Sequence, residues 1–100
     1  MKSGYRIKWT DHAINELSEA FDYVMRNWTE KELVKLSFRI EETLELISKN
    51  PELFQKTPTI KDVRRAVVTK HNSIYYRINS EIIEILSFFS NRRNPKKLEL

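Results

Sequence analysis

The order of the periodic segments predicts an α+β fold: an N-terminal strand, a two-helix hairpin, then a three-stranded antiparallel meander, with both helices packed on one face of the sheet. Three observations predict it. A short alternating stretch opens the chain, two capped amphipathic runs follow, and three brief β-branched and aromatic runs separated by polar residues close it. We read residues 1–100 as a single domain.

The first strand rests on Tyr5, Arg6, Ile7, Lys8 and Trp9, which alternate apolar and polar residues as a half-buried strand requires. Thr10 or Asp11 can cap a first helix, whose apolar residues Ile14, Leu17, Phe21, Val24 and Trp28 recur at steps of three and four. Thr29 and Glu32 have capping-box spacing, and Leu33, Leu36, Ile40, Leu44 and Ile47 form a second stripe. Asn50 and Pro51 end that helix, because the residue before proline is driven out of the helical region. A loop containing Pro58 leads to strands expected at 63–69, 74–78 and 82–89, with turns near His71 and Asn72 and near Asn79, Ser80 and Glu81.

Strand alternation then sorts side chains by face. With Lys70 opposite Ser73, Val68 falls opposite Tyr75, Ala66 opposite Arg77 and Arg64 opposite Asn79. That register gathers Arg64, Tyr75 and Arg77 on an open face, with Glu84 beside Arg77 and with Leu86 and Phe88 adding apolar area. Val67, Ile74, Tyr76 and Ile78 turn to the helices, as do Ile83 and Ile85. The core expected from this register is Leu17, Phe21, Leu36, Ile40, Val67, Tyr76, Ile78, Ile83 and Ile85.

Composition narrows the chemistry. Forty per cent of the 100 residues are hydrophobic and one is glycine, so the chain carries enough apolar surface for a core. The lack of cysteine excludes a disulfide scaffold and a thiolate metal site. There is no glycine-rich phosphate loop and no cluster of metal ligands, so neither a cofactor nor a metal is expected. Residues 1–6 have no apolar signal region and no stretch is long enough to span a bilayer, which predicts a cytoplasmic protein without membrane association. Eighteen basic residues against fourteen acidic give a net charge of +4. From Lys61 onward, Arg64, Arg65, Lys70, Arg77, Arg92, Arg93, Lys96 and Lys97 face few acids, a field that favours nucleic acid or an acidic protein segment. On the expected open face Arg64, Tyr75, Arg77 and Arg92 are placed to meet phosphate, and Tyr75 and Phe88 to stack on bases.

Several blocks share an order with a known group of proteins. The opening from Tyr5 to Ala13, then Val63 and Arg64, the run Ile74, Tyr75, Tyr76, Arg77 and Ile78, the run Ile82 to Leu86, and the ending Asn91, Arg92, Arg93, Asn94 and Pro95 resemble the RelE/ParE toxins of bacterial type II toxin–antitoxin systems over essentially the whole chain. The resemblance implies a growth-inhibiting toxin that forms a hetero-oligomer with a cognate antitoxin, whose acidic amphipathic segment wraps the helices or covers the open face.

RelE-like members cut messenger RNA on the ribosome, and ParE-like members poison DNA gyrase. Cleavage by the ribose 2′-hydroxyl needs a base, cationic stabilisation of the phosphorane and help for the leaving oxygen. Arg64 and Arg92 match the phosphate-stabilising arginines, whereas Leu98 stands where the RelE-like pattern has a tyrosine. His71 is the candidate base if the chain is a ribonuclease, with His12 weaker. The Arg92 to Pro95 ending resembles the ParE-like tail with Asn94 replacing an aspartate. The resemblance therefore puts a gyrase poison first, with target contacts through Arg64, Tyr75, Arg77, Arg92, Arg93 and Lys96. The ribosome-dependent endoribonuclease comes second, and an inactive antitoxin-binding module third.

Overall fold

In the computed structural model, which describes residues 4–90, six elements follow in the expected order: β1 (Arg6–Trp9), α1 (Asp11–Asn27), α2 (Glu30–Lys49), β2 (Arg64–Thr69), β3 (Asn72–Asn79) and β4 (Ile82–Ser90). The sheet order is β1-β4-β3-β2. The meander β2-β3-β4 is antiparallel, and β1 lies against β4 in parallel, so the sheet is mixed.

Both helices begin at threonine caps. Thr10 Oγ1 accepts from the Ala13 N–H at 3.2 Å while its hydroxyl donates to the Ile85 carbonyl at 2.9 Å, so one side chain starts α1 and ties it to β4. Thr29 Oγ1 accepts from Glu32 N at 3.4 Å at the start of α2. The face of α1 that meets the sheet carries Ala13, Leu17, Ala20, Phe21 and Val24, with Glu16 among them; Ile14 and Trp28, members of the expected stripe, are exposed. α2 buries Leu36, Ile40, Thr43 and Ile47. The chain's single glycine has a steric reason. Tyr5 N–H donates to Ser48 O at 2.8 Å and Ser48 Oγ donates to Tyr5 O at 2.7 Å, and a Cβ at Gly4 would run into Ser48 Oγ.

The main core joins the helices to Ala66, Val68, Ile74, Tyr76, Ile83, Ile85 and Phe88, with Leu17, Phe21 and Ile78 partly buried around it. Three expected placements, those of Arg64, Val67 and Phe88, are overturned by two β-bulges, each an extra residue that reverses strand parity beyond it. In β2 the pairing passes from Thr69↔Asn72 to Val67↔Ser73, leaving Val68 without a partner. Without that insertion Arg64 would share a face with Tyr75 and Arg77. With it, Arg64 pairs with Tyr76 and Arg65 with Tyr75, and Val67, expected in the core, is 53% exposed on the other face. In β4 Leu86 is the extra residue, between Ile85↔Tyr76 and Ser87↔Tyr75. Phe88 therefore enters the main core, and Phe89 takes the place expected for it on the open face.

The β3–β4 turn is the two-residue loop Ser80 and Glu81, since Asn79 pairs with Ile82; Ser80 supplies the left-handed φ of 60° that tight hairpins demand. The β2–β3 turn is Lys70 and His71, one residue earlier than expected.

Candidate functional site

The face of the sheet away from the helices is not bare. The connection from α2 to β2 folds back along it: Thr57 N–H donates to Val63 O at 2.8 Å, Arg65 N–H donates to Gln55 O at 3.1 Å, and the backbones of Lys56 and Arg64 pair in an isolated antiparallel bridge. This brings Ile60 and Val63 onto Tyr75, Leu86 and Phe89 in a second apolar cluster. Tyr75 and Phe89 meet edge to face, 6.0 Å between ring centres and 88° between planes. Tyr75 shares a face with Arg77, as expected, but is buried rather than exposed.

Beside this cluster opens a cleft of about 850 Å³, with Tyr75, Phe89, Val67 and Arg65 on the sheet side and residues 53–58 on the other. Farther along the same face, Arg77 Nε and Nη2 both donate to Glu84 Oε1, at 3.1 and 3.0 Å. Lys8 is the next cross-strand neighbour of Glu84, and Arg6 lies on the same side of β1, both exposed.

Arg64 lies elsewhere. Paired with Tyr76, it sits on the helix side at the sheet edge, where its Nη1 donates to Phe54 O at 2.7 Å and to Glu52 O at 3.4 Å. Tyr76 donates its hydroxyl to Pro51 O at 2.7 Å. Burial pushes the Tyr76 phenol from 10.0 up to about 12, with the positive charge of Arg64 pulling it the other way. The two side chains thus fasten the segment leaving α2, which walls the cleft. Sequence reasoning missed Arg65, the arginine β2 presents to the cleft, and also Lys8 as a member of this face. The available signal was the unbroken apolar run Ala66, Val67, Val68, where strict alternation fails.

Neither histidine reaches the open face. His71 occupies the β2–β3 turn, its backbone N–H donating to Thr69 Oγ1 at 3.1 Å. His12, on the first turn of α1, lies 3.4 Å from Glu16 Oε2. Glu16 is buried and uses its other oxygen to accept from Ser87 Oγ at 2.6 Å and Phe88 N at 3.0 Å, anchoring α1 just past the β4 bulge. Arg92, Arg93, Lys96 and Leu98 lie outside the described residues. Among the described residues there is no metal-ligating cluster and no helix long and apolar enough to cross a membrane.

Hairpin, bulged sheet and basic open face together define the chain for comparison with known proteins. A family model for the ParE toxin of type II toxin–antitoxin systems, parDE, matches residues 7–95. The chain belongs to the ParE toxin family. Similar solved structures share its fold. The chromosomal ParDE TA system from P. aeruginosa is 19% identical with a TM-score of 0.72, covering 86% of this chain and 95% of that one. The YoeB dimer from Staphylococcus aureus is 20% identical with a TM-score of 0.62, at 86% and 95% coverage. The E. coli DinJ-YafQ toxin–antitoxin complex is 10% identical with a TM-score of 0.63, at 90% and 96%. A comparison with curated protein sequences returned no match.

Proposed function

We propose that this ParE-family chain inhibits growth by binding DNA gyrase and trapping it on cleaved DNA. The observation that carries the reading is the make-up of the open face. It offers cations and buried aromatics, and among the described residues its strand carboxylate, Glu84, is engaged by Arg77 while both histidines sit elsewhere. A poison that works by binding needs such a surface and no acid–base set, whereas RNA cleavage by a 2′-hydroxyl needs a base to accept the proton of that hydroxyl. The ParE family match and the leucine at position 98 support the same choice. Target contacts are assigned to Tyr75 and Arg77 on the described face, and to Arg92, Arg93 and Lys96 in the basic tail.

The partner that restrains the toxin is an antitoxin; the fold neighbours YoeB and YafQ were solved in complexes with theirs. Ile14 and Met25 on α1, Trp28 just past its end, and Val34 and Phe38 on α2 are exposed, an apolar surface suited to an amphipathic segment.

Expression of the free chain in bacterial cells tests the mechanism. Gyrase–DNA cleavage complexes and the DNA damage response are expected, with messenger RNA intact. Prompt arrest of translation with cut transcripts would overturn the gyrase reading. So would loss of both toxicity and transcript cleavage in His71→Ala with folding and antitoxin binding unchanged, since that histidine would then be acting as a base.

A further inference from the structure

Building on the gyrase reading, in which the target holds DNA, we propose that the open face itself binds an unpaired DNA strand, with phosphates along Lys8, Arg77 and Arg65 and one base in the cleft beside Tyr75.

The placement of the cations is the first support. Lys8, Glu84 and Arg77 are successive cross-strand neighbours on β1, β4 and β3, and Arg65 lies opposite Tyr75, two residues along β3 from Arg77. With strands about 4.8 Å apart and residues about 3.3 Å apart, Lys8 and Arg77 are about 10 Å apart along the sheet and Arg77 and Arg65 about 8 Å. The charges therefore form a track across the sheet rather than a cluster around a point, which suits a polyanion. The strand residues of this face, Arg6, Lys8, Arg65 and Arg77 against Glu84, leave a surplus of three positive charges. Glu84 engages Arg77 through Nε and Nη2 only, so three of the five guanidinium donors point away from that carboxylate.

The second support is where the track ends. Arg65 lines the cleft of about 850 Å³, whose other walls include Leu53, Phe54, Pro58 and Val67. Phosphate on a duplex surface needs no apolar hollow; an unpaired base does, and pairing a cationic path with an aromatic-floored recess is how single strands are held without sequence readout. The direction of the track separates a nucleic-acid strand from a peptide. A peptide adds to a sheet by pairing along an edge strand, whereas these cations run across the strands from β1 to β2.

Fluorescence anisotropy of a labelled oligothymidylate of about 12 nucleotides, titrated with the free full-length chain over a range of salt, tests the proposal. Three neutralised phosphates give a log–log salt slope of about −2, and Lys8→Gln, Arg65→Gln and Arg77→Gln each lower its magnitude by about 0.7. Lys35→Gln, which removes an exposed charge from α2, leaves the slope unchanged; an equal loss there would reduce the effect to general basicity and overturn the track. Val67→Glu places a carboxylate in the cleft at an exposed position and is expected to weaken binding about tenfold, in line with the loss of one base contact. Thermal melting confirms that each variant is folded.

Other ligands give results that would sink the proposal. Equal affinity for duplex of the same length removes the base from the cleft. Much tighter binding of oligouridylate makes RNA the ligand. Tighter binding of an acidic peptide, or no binding of any oligonucleotide at low salt, makes the partner a protein. Gyrase cleavage assays run beside these measurements keep the two claims apart. Oligonucleotide binding without trapped gyrase defeats the gyrase reading alone, while trapped gyrase that is indifferent to all three track variants defeats this one alone.

Discussion

β3 runs eight residues without interruption, whereas its neighbours β2 and β4 each carry one unpaired residue, Val68 and Leu86. The regular strand sends Ile74, Tyr76 and Ile78 to the helices and Tyr75 and Arg77 to the other side. The bulged strands reverse their parity part-way, and the reversals fall on either side of Tyr75. One aims Arg65 at the cleft and sends Arg64 to the helix side; the other places Phe89 against Tyr75 and returns Phe88 to the main core. The regular strand supplies the frame, and the two inserted residues decide what that frame presents. An apolar floor and a cation beside it thus come from three strands whose local sequences alternate differently.

The sharpest way to break this comparison is to charge neighbouring residues of β2. Ala66 is 0% exposed and Val67 is 53% exposed. Ala66→Asp buries an unpaired carboxylate and is expected to cost several kcal/mol, enough to unfold a domain of this size. Val67→Asp should change stability by no more than about 0.5 kcal/mol. Urea denaturation of the two variants decides the matter: a Val67→Asp protein that unfolds while Ala66→Asp does not would place the bulge elsewhere and return Arg64 to the open face.

The same contrast explains which parts of the structure could be read in advance. Element order, the Thr29 cap, a first cap at Thr10 or Asp11 and the division of Tyr75 from Tyr76 follow from periodicity and capping chemistry, which act within a few residues. The β2 register does not, because Ala66, Val67 and Val68 are all apolar and any of them satisfies a core position. The Lys70 and His71 turn differs from the expected one by a single residue, a change that preserves parity; the bulge alone moved Arg64. In β4 the pair Phe88 and Phe89 poses the same ambiguity. Ile14 and Trp28 look like core residues by spacing, yet the interface on α1 centres on Ala13, whose small side chain lets the helix approach the sheet. The carboxylate of Glu16 among these apolar side chains was equally invisible, since its partners are a hydroxyl and an amide more than seventy residues away.

Glu16 supplies the next largest expected effect, and it probes the β4 bulge. Glu16→Ala leaves the Ser87 hydroxyl and the Phe88 N–H buried without their acceptor, about 1–3 kcal/mol for each group. Glu16→Gln keeps an acceptor oxygen and should lose less. Equal losses for both substitutions, measured by denaturant titration, would mean that the charge rather than the hydrogen bonds anchors α1.

Tyr76 tests the regular strand in turn. Tyr76→Phe removes the bond to Pro51 O and is expected to cost about 1–3 kcal/mol. Because burial raises the phenol from 10.0 to about 12, the folded state resists its ionisation: stability is fully present below pH 10 and falls as pH rises toward 12. That part of the alkaline loss should vanish in Tyr76→Phe. An unchanged profile would assign the alkaline transition to other groups.

The smallest expected effect comes from the open face, where β3 and β4 are in register. Arg77 and Glu84 are directly paired across the two strands and joined by two hydrogen bonds to one carboxylate oxygen, so the geometry is good. Yet about half of the Arg77 side chain is exposed, and water and salt screen the pair. A double-mutant cycle with Arg77→Ala and Glu84→Ala should therefore give a coupling of about 0.2–1 kcal/mol, declining as salt is raised. This small value matters to the proposed site. A pair coupled this weakly can release Arg77 to an incoming phosphate at little cost, whereas a coupling of several kcal/mol that salt does not reduce would lock the guanidinium to Glu84. The track would then hold two usable cations, Lys8 and Arg65, instead of three, and the salt slope for an oligonucleotide would shrink accordingly, to about −1.4.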